Sequence, residues 1–288
     1  MRRPACHASA ARRPRAGFTL VELLVVITII ILLLGVTMPA INAAREQGRQ
    51  VVCRGNLQNI GTAVVRYNDT NGFIPGWRMT PVGGTVQRSW TAMIMPFMDR
   101  KDIGDLVSGS STIPATYVGS FVCPTSPPDT QMASWLSYAG ASSVQRAAGV
   151  MVEAAPRVSL DDVSASGGGD GQPTTLLLAE KCGSARGGTV GTWNNATNAA
   201  DLRFGILNGG PSLRAINGNT SDAALLPSSS HAGGAMVAFC DGHVEFLKES
   251  LRKEVFAQLM SWRHSDASGS EYTAFVGSYT ILNEGDYK

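Results

Sequence analysis

Three sets of side chains have the types and spacing to do chemistry: a lone carboxylate in an apolar run, four cysteines downstream of it, and a histidine followed after nine residues by Asp-Gly. The carboxylate is Glu22, the only charge in the 21 residues 18–38, FTLVELLVVITIIILLLGVTM. An ionisable group inside a membrane helix costs about 2.5–3.5 kcal/mol even on permissive insertion scales, so it marks a function. Its natural partner is a positive charge supplied by another chain. The cysteines are Cys53, Cys123, Cys182 and Cys240, with Cys6 ahead of the apolar run. Four thiols in a non-cytoplasmic domain support up to two disulfides in three connectivities, of which Cys53–Cys123 is the preferred pairing. The competing reading keeps them reduced, as small buried hydrophobes. No Cys-x-x-Cys pair occurs, so the cysteine spacing points to no zinc site.

The histidine is His231 and the dipeptide Asp241-Gly242. A base and its orienter come to mind, but a strand over 234–240 at about 3.3 Å per residue would hold His231 and Asp241 roughly 20–30 Å apart. The expectation is therefore structural: Asp241-Gly242 sets a turn, and His231 caps or hydrogen-bonds where Ser228-Ser-Ser-His231 enters a sheet. Cys240, Asp241, His243 and Glu245 could each bind a metal, yet they gather on one solvent-side patch without a closed ligand set. A polar face is expected there, with no metal and no cofactor. Gly-x-Ser-x-Gly, phosphate-loop, His-Glu-x-x-His and dinucleotide motifs are all missing, and only His231, His243 and His264 follow residue 17. The chain is not expected to be an enzyme.

The elements that must position these groups begin with the apolar run. A helix of 21 residues, at about 1.5 Å per residue, crosses the roughly 30 Å core of a bilayer. Arg2, Arg3, Arg12, Arg13 and Arg15 precede it without an acid, which predicts a cytoplasmic amino terminus and an outward remainder. A cleaved signal peptide would carry its small-residue site after a shorter apolar region, whereas Gly17 stands before this one. Without residues 1–17 the chain has 19 basic and 22 acidic residues, net −3, so a basic nucleic-acid surface is not expected.

Beyond Pro39, the positions Ile41, Ala44, Val52, Leu57, Ile60, Val64 and Tyr67 recur at helical spacing and predict an amphipathic stem to about residue 70. Asn71-Gly72 ends it. A short helix is expected in SWTAMIMPFMDR, a short strand stopped by proline at Phe121-Val122-Cys123-Pro124, an extended piece at Trp135-Leu-Ser-Tyr138, an exposed loop over 164–173, and a buried strand in TTLLLAE, 174–180. The Gly/Asn/Ser-rich stretch 183–219 reads as irregular surface structure. Asp-Gly between alternating runs predicts a two-residue type I′ hairpin pairing Cys240 with His243, Phe239 with Val244, Ala238 with Glu245 and Val237 with Phe246. Val237, Phe239, Val244 and Phe246 would then share the core face. A last helix is expected from Ser250 to about Arg263, burying Leu251, Val255, Leu259 and Trp262.

Two resemblances add to this reading. G-FTLVELLVVITIIILLLG resembles the prepilin cleavage and methylation motif of type IV pilins and type II secretion pseudopilins. It implies a membrane aspartyl peptidase that cuts after Gly17 and N-methylates Phe18, and a Glu22 that neutralises the terminal amine of a neighbouring subunit. The H-x9-DG pattern of His231, Asp241 and Gly242, with PAINAAREQGRQVVCRGNLQNIGTAVVRYNDTNGFIP, FVCPTSP, SYAG and TTLLLAE, is similar to the pilin-like DUF1559 family over nearly all of 17–262. The glycine-rich finish usual in that family is replaced here by SWRHSDASGSEY and a tail to Lys288.

The expected organisation is a basic leader 1–17, a transmembrane helix 18–38, an amphipathic stem 39–70 and an α+β exterior domain 71–288, pilin-like, with the long helix on an antiparallel sheet. The expected role is a structural filament subunit in the inner membrane, with prepilin peptidase and other pilin-like subunits as partners and no nucleic acid. The alternative is a membrane-tethered module that never polymerises and binds a ligand such as calcium, with Asp161, Asp162 and Asp170 as its candidate oxygens.

Overall fold

The structure, a computed structural model, describes residues 18–81, 84–109, 113, 115–128, 130, 133–142, 149–153, 157–182, 191–194, 202–205, 216–217, 226–263 and 287. By its internal contacts the chain divides into two units, Met1–Arg45 and Glu46–Lys288. The fold is α+β.

Helix α1 runs Leu20–Asn71 and is long and apolar enough to cross a membrane. Within the first unit its large apolar side chains, from Leu20 through Ile41, are exposed. The hydroxyls in this stretch turn inward: Thr28 Oγ1 donates to Val25 O at 2.8 Å and Thr37 Oγ1 to Leu33 O at 3.0 Å. Such back-bonding satisfies the hydroxyl within its own helix.

Within the second unit α1 becomes a core element, burying Cys53, Leu57, Ile60, Ala63, Val64 and Tyr67. These positions follow the helical repeat closely enough to form one apolar stripe. Cys53 rather than Val52 occupies the stripe, and Val52 is left exposed. The helix ends as expected, with Asn71 Nδ2 on Tyr67 O at 3.0 Å, Gly72 N on Asn68 O at 2.7 Å and Gly72 at φ +80°. A left-handed residue at this place costs glycine nothing.

Two short paired segments follow, β1 (Arg78–Met79) and β2 (Arg88–Ser89), then helix α2 (Trp90–Ile94), a 3₁₀ turn Met95–Met98 and helix α3 (Lys101–Gly109). Ser89 caps α2. Trp90 is fully buried, with Nε1 donating to Leu202 O at 2.9 Å. Phe121-Val122-Cys123-Pro124 is not a strand: Gly119–Phe121 is a 3₁₀ turn, and the chain turns again where Ser126 N meets Cys123 O at 3.1 Å. Its backbone is anchored by Ser137 N on Phe121 O and by Asn56 Nδ2, from α1, on Val122 O.

The remaining strands are β3 (Trp135–Leu136), β4 (Tyr138–Ala141), β5 (Leu176–Glu180), β6 (Gly191–Thr192), β7 (Arg203–Phe204), β8 (Gly234–Phe239) and β9 (Val244–Lys248). Strands β3 and β6 pair by themselves, and the main sheet has the order β7-β4-β5-β8-β9. Its central pairs are antiparallel, but β7 runs parallel to β4, so the sheet is mixed rather than purely antiparallel. β5 and β8 are buried at every position, which explains why their sequences are apolar throughout.

The hairpin forms with a different register. Ala238 pairs with Val244, Val237 with Glu245 and Met236 with Phe246. Phe239 N bonds His243 O and Gly242 N bonds Phe239 O, both at 3.0 Å, so the loop has three residues, Cys240-Asp241-Gly242. Gly242 at φ +90° supplies the left-handed position that closes such a loop. The one-residue slip moves the β9 side chains to the face opposite the expected one.

Leu160–Val163 is a single turn, α4, whose Ser159 and Asp162 form a capping box. The expected loop 164–173 therefore follows a capped turn and itself contains the 3₁₀ turn Ala165–Gly167. The last helix, α5, is shorter than expected, Lys253–Met260, and starts after Arg252. It buries Val255 and Leu259, with Trp262 partly buried beyond its end. Gly17, Cys6, His264 and most of 183–219 lie outside the described residues.

Candidate functional site

At the amino terminus, Phe18 is 77% exposed and α1 opens on Thr19. Thr19 N and Oγ1 both donate to Glu22 Oε2, at 2.9 and 2.8 Å, and Glu22 N reaches Thr19 Oγ1 at 3.3 Å. This is a reciprocal cap, Thr-x-x-Glu, whose signal in the sequence is the three-residue spacing of Thr19 and Glu22 ahead of the apolar run. One carboxylate thus both closes the first turn and presents a negative charge on an exposed apolar helix.

The second unit assembles a different site from four separate segments. Glu180 ends β5 facing Tyr138 on one side, and the chain beyond it keeps pairing: Ser228 N bonds Glu180 O and Cys182 N bonds Ser228 O, at 3.0 and 2.8 Å. That ladder delivers Ser228-Ser-Ser-His231 to the end of β5. α1 contributes Glu46 and Cys53, seven residues apart and so on one helical face. The turn after Gly119–Phe121, tied to α1 through Asn56, contributes Cys123.

The result is a buried cluster of Cys53, Cys123, Glu180 and His231, whose ligating atoms all lie within 4.8 Å of one another. Cys53 Sγ is 3.1 Å from Cys123 Sγ, and His231 Nε2 is 3.3 Å from Cys53 Sγ and 3.7 Å from Cys123 Sγ. Glu180 Oε1 stands 3.3 Å from Nε2. On the other side of the imidazole, Nδ1 meets Glu46 Oε1 at 2.5 Å and Thr125 Oγ1 at 3.3 Å. Glu46 Oε2 in turn pairs with Arg49 at 3.5 Å. Glu180 is fully buried; its Oε2 accepts from Met236 N at 3.0 Å, whereas Oε1 accepts no well-formed hydrogen bond despite its nearness to the histidine.

Hydrogen bonds from Cys182 and Cys53 hold the Cys123 thiol well below its ordinary value, against the upward push of burial. The same bonds, together with burial, raise Cys53 and Cys182. Burial lowers His231, but its contacts with Cys123, Glu180 and Glu46 outweigh that and carry it up to about 11.

The structure brings Cys53 and Cys123 together and gives His231 a place beside them. It does not join His231 to Asp241. Asp241 Oδ1 instead accepts from His243 N at 3.0 Å and lies 2.6 Å from His243 Nδ1, while the His243 ring stacks on Phe239 at 4.2 Å. Cys240 is buried, its thiol raised by that burial. Asp162, one of the oxygens considered for calcium, is engaged in the cap with Ser159. Glu46 and Glu180 were not singled out from sequence. A carboxylate closing an otherwise apolar strand, Leu176-Leu-Leu-Ala-Glu180, was the available signal.

The chain matches the family described as Protein of unknown function (DUF1559) over residues 42–254, and the Prokaryotic N-terminal methylation motif over residues 12–38. No curated protein and no solved structure matched it.

Proposed function

The chain belongs to the DUF1559 family and carries a prepilin-type methylation motif, and from that premise we propose that it is a structural subunit of a type IV pilus-like or type II secretion pseudopilus-like filament. The observation that carries the proposal is the exposed apolar half of α1 with Glu22 at its head, an apolar surface that no described residue of its own unit covers. An apolar helix of this kind is satisfied by lipid before assembly and by other helices after it. Prepilin peptidase cuts after Gly17 and methylates Phe18, and the new amine of one subunit is neutralised by Glu22 of another. The bulk of the chain lies outside the inner membrane. Its work is polymerisation, and catalysis has no part in it.

Intact mass of the membrane-extracted chain tests the processing step. The expected mass lacks residues 1–17 and carries one added methyl group. Gly17→Ala should retain the leader. Glu22→Gln should be processed normally yet lose the ladder of cross-linked oligomers that the wild type forms. A chain that keeps its leader in cells with an active peptidase, or a Glu22→Gln variant that assembles like the wild type, overturns the proposal.

A further inference from the structure

We propose that Cys53, Cys123, His231 and Glu180 are the four ligands of a buried site for a zinc-like divalent cation, with Glu46 as the group that orients the histidine. Around a tetrahedral zinc with sulfur at about 2.3 Å and nitrogen or oxygen at about 2.0–2.1 Å, ligand atoms stand roughly 3.3–3.8 Å from one another. The distances from His231 Nε2 to the two sulfurs and to Glu180 Oε1, 3.3, 3.7 and 3.3 Å, fall in that range. The sulfur pair at 3.1 Å must open by about 0.7 Å to reach the roughly 3.8 Å sulfur–sulfur edge of such a site.

Two further features point to a cation. Glu180 Oε1 is buried and aimed into the cluster, and although His231 Nε2 lies 3.3 Å away it accepts no well-formed hydrogen bond, an under-satisfied state that a bound cation would complete. The histidine is held as metal-bound histidines are: a carboxylate takes one ring nitrogen and leaves the other to face the ligand set. Two thiolates, an imidazole and a carboxylate suit zinc or cobalt better than calcium or magnesium, which take oxygen. Four protein donors make the site closed and therefore structural. Binding needs both sulfurs as thiolates and Nε2 free of its proton, and it ties α1 to the end of β5, the Cys123 turn and the segment before β8.

The competing state is a Cys53–Cys123 disulfide, which an oxidising compartment would favour and which would remove both sulfur ligands. One preparation separates the two. The full-length chain is extracted in detergent under thiol-protecting conditions without chelator, incubated with zinc, desalted, and its metal content and intact mass are measured. About one zinc per chain is expected, falling at least fivefold in Cys53→Ser, His231→Ala and Glu180→Gln and unchanged in His243→Ala, whose ring lies outside the cluster. Because the buried variants could lose zinc by unfolding, cobalt is also added to the wild-type chain. Thiolate-to-cobalt charge-transfer absorption with intense tetrahedral visible bands is expected. A wild-type chain that takes up neither metal, whether its Cys53 and Cys123 are oxidised or reduced, overturns the site, as does cobalt bound without the thiolate band. Leader cleavage is read from the same mass spectrum, so failure of this site is distinguishable from failure of the filament assignment.

Discussion

Leu24 and Leu57 belong to the same helix and meet opposite surroundings: Leu24 is 51% exposed among other exposed apolar side chains, and Leu57 is completely buried. The contrast extends to polar groups. In the first unit the apolar side chains face outward, and among the described residues Glu22 bonds to Thr19. In the second the apolar side chains are covered, and carboxylate, imidazole and thiols are drawn into the interior. On the two proposals above, each region calls for something that its own described residues do not supply. For the first it is a hydrophobic environment and a positive charge; for the second it is a cation.

The sharpest way to break this comparison is to make one change in both regions. Leu57→Ala should lower stability by about 2–5 kcal/mol, because it leaves a cavity in a packed core. Leu24→Ala should change it by less than about 0.5 kcal/mol. Denaturation of the detergent-extracted chain followed by tryptophan fluorescence measures this, since Trp77, Trp90, Trp135, Trp193 and Trp262 all lie in the second unit. Equal losses would show that the two halves of α1 are not energetically distinct.

A smaller effect is expected at the hairpin. Gly242→Val places a β-branched side chain at φ +90° and should cost about 1–2 kcal/mol in the same assay. A variant as stable as the wild type would count against the three-residue loop.

The smallest effect is expected at the exposed pair of Arg100 and Asp102, whose guanidinium lies 2.8 Å from the carboxylate. The hydrogen bond from Arg100 holds the Asp102 carboxyl below its ordinary value. Its stabilisation is therefore complete above the usual carboxylate pKa of about 4 and is lost as pH falls through the lowered folded value. Asp102→Asn should differ slightly from the wild type at neutral pH and low salt, and the difference should vanish in strong acid and at high salt. A difference that survives high salt would mean that this exposed pair acts like a buried one.

Much of the fold was legible because it rests on periodicity. The stem stripe was read at Leu57, Ile60, Val64 and Tyr67, and its end at Asn71-Gly72, where helical spacing and a glycine act locally. Val52 was expected in place of Cys53, since adjacent positions on a helix lie only about 100° apart and both residues are apolar enough to be buried. The hairpin was read but its register was not. Asp-Gly is compatible with two- and three-residue loops, and packing on both faces of β8 leaves no polar alternation along it to choose between them.

The sequence by itself determined the elements that need only neighbours along the chain. These are the membrane-length apolar helix, the basic segment before it, the processing motif around Gly17, Phe18 and Glu22, and the turn at Asp241-Gly242. The tertiary structure alone decided that His231 belongs with Cys53, Cys123, Glu46 and Glu180 and not with Asp241. Those residues come from segments as far apart as 185 positions, and no local rule of spacing links them. Only the pairing of the Glu180–Cys182 segment with Ser228, and the packing of the stem against the Cys123 turn, bring their side chains within reach of one another.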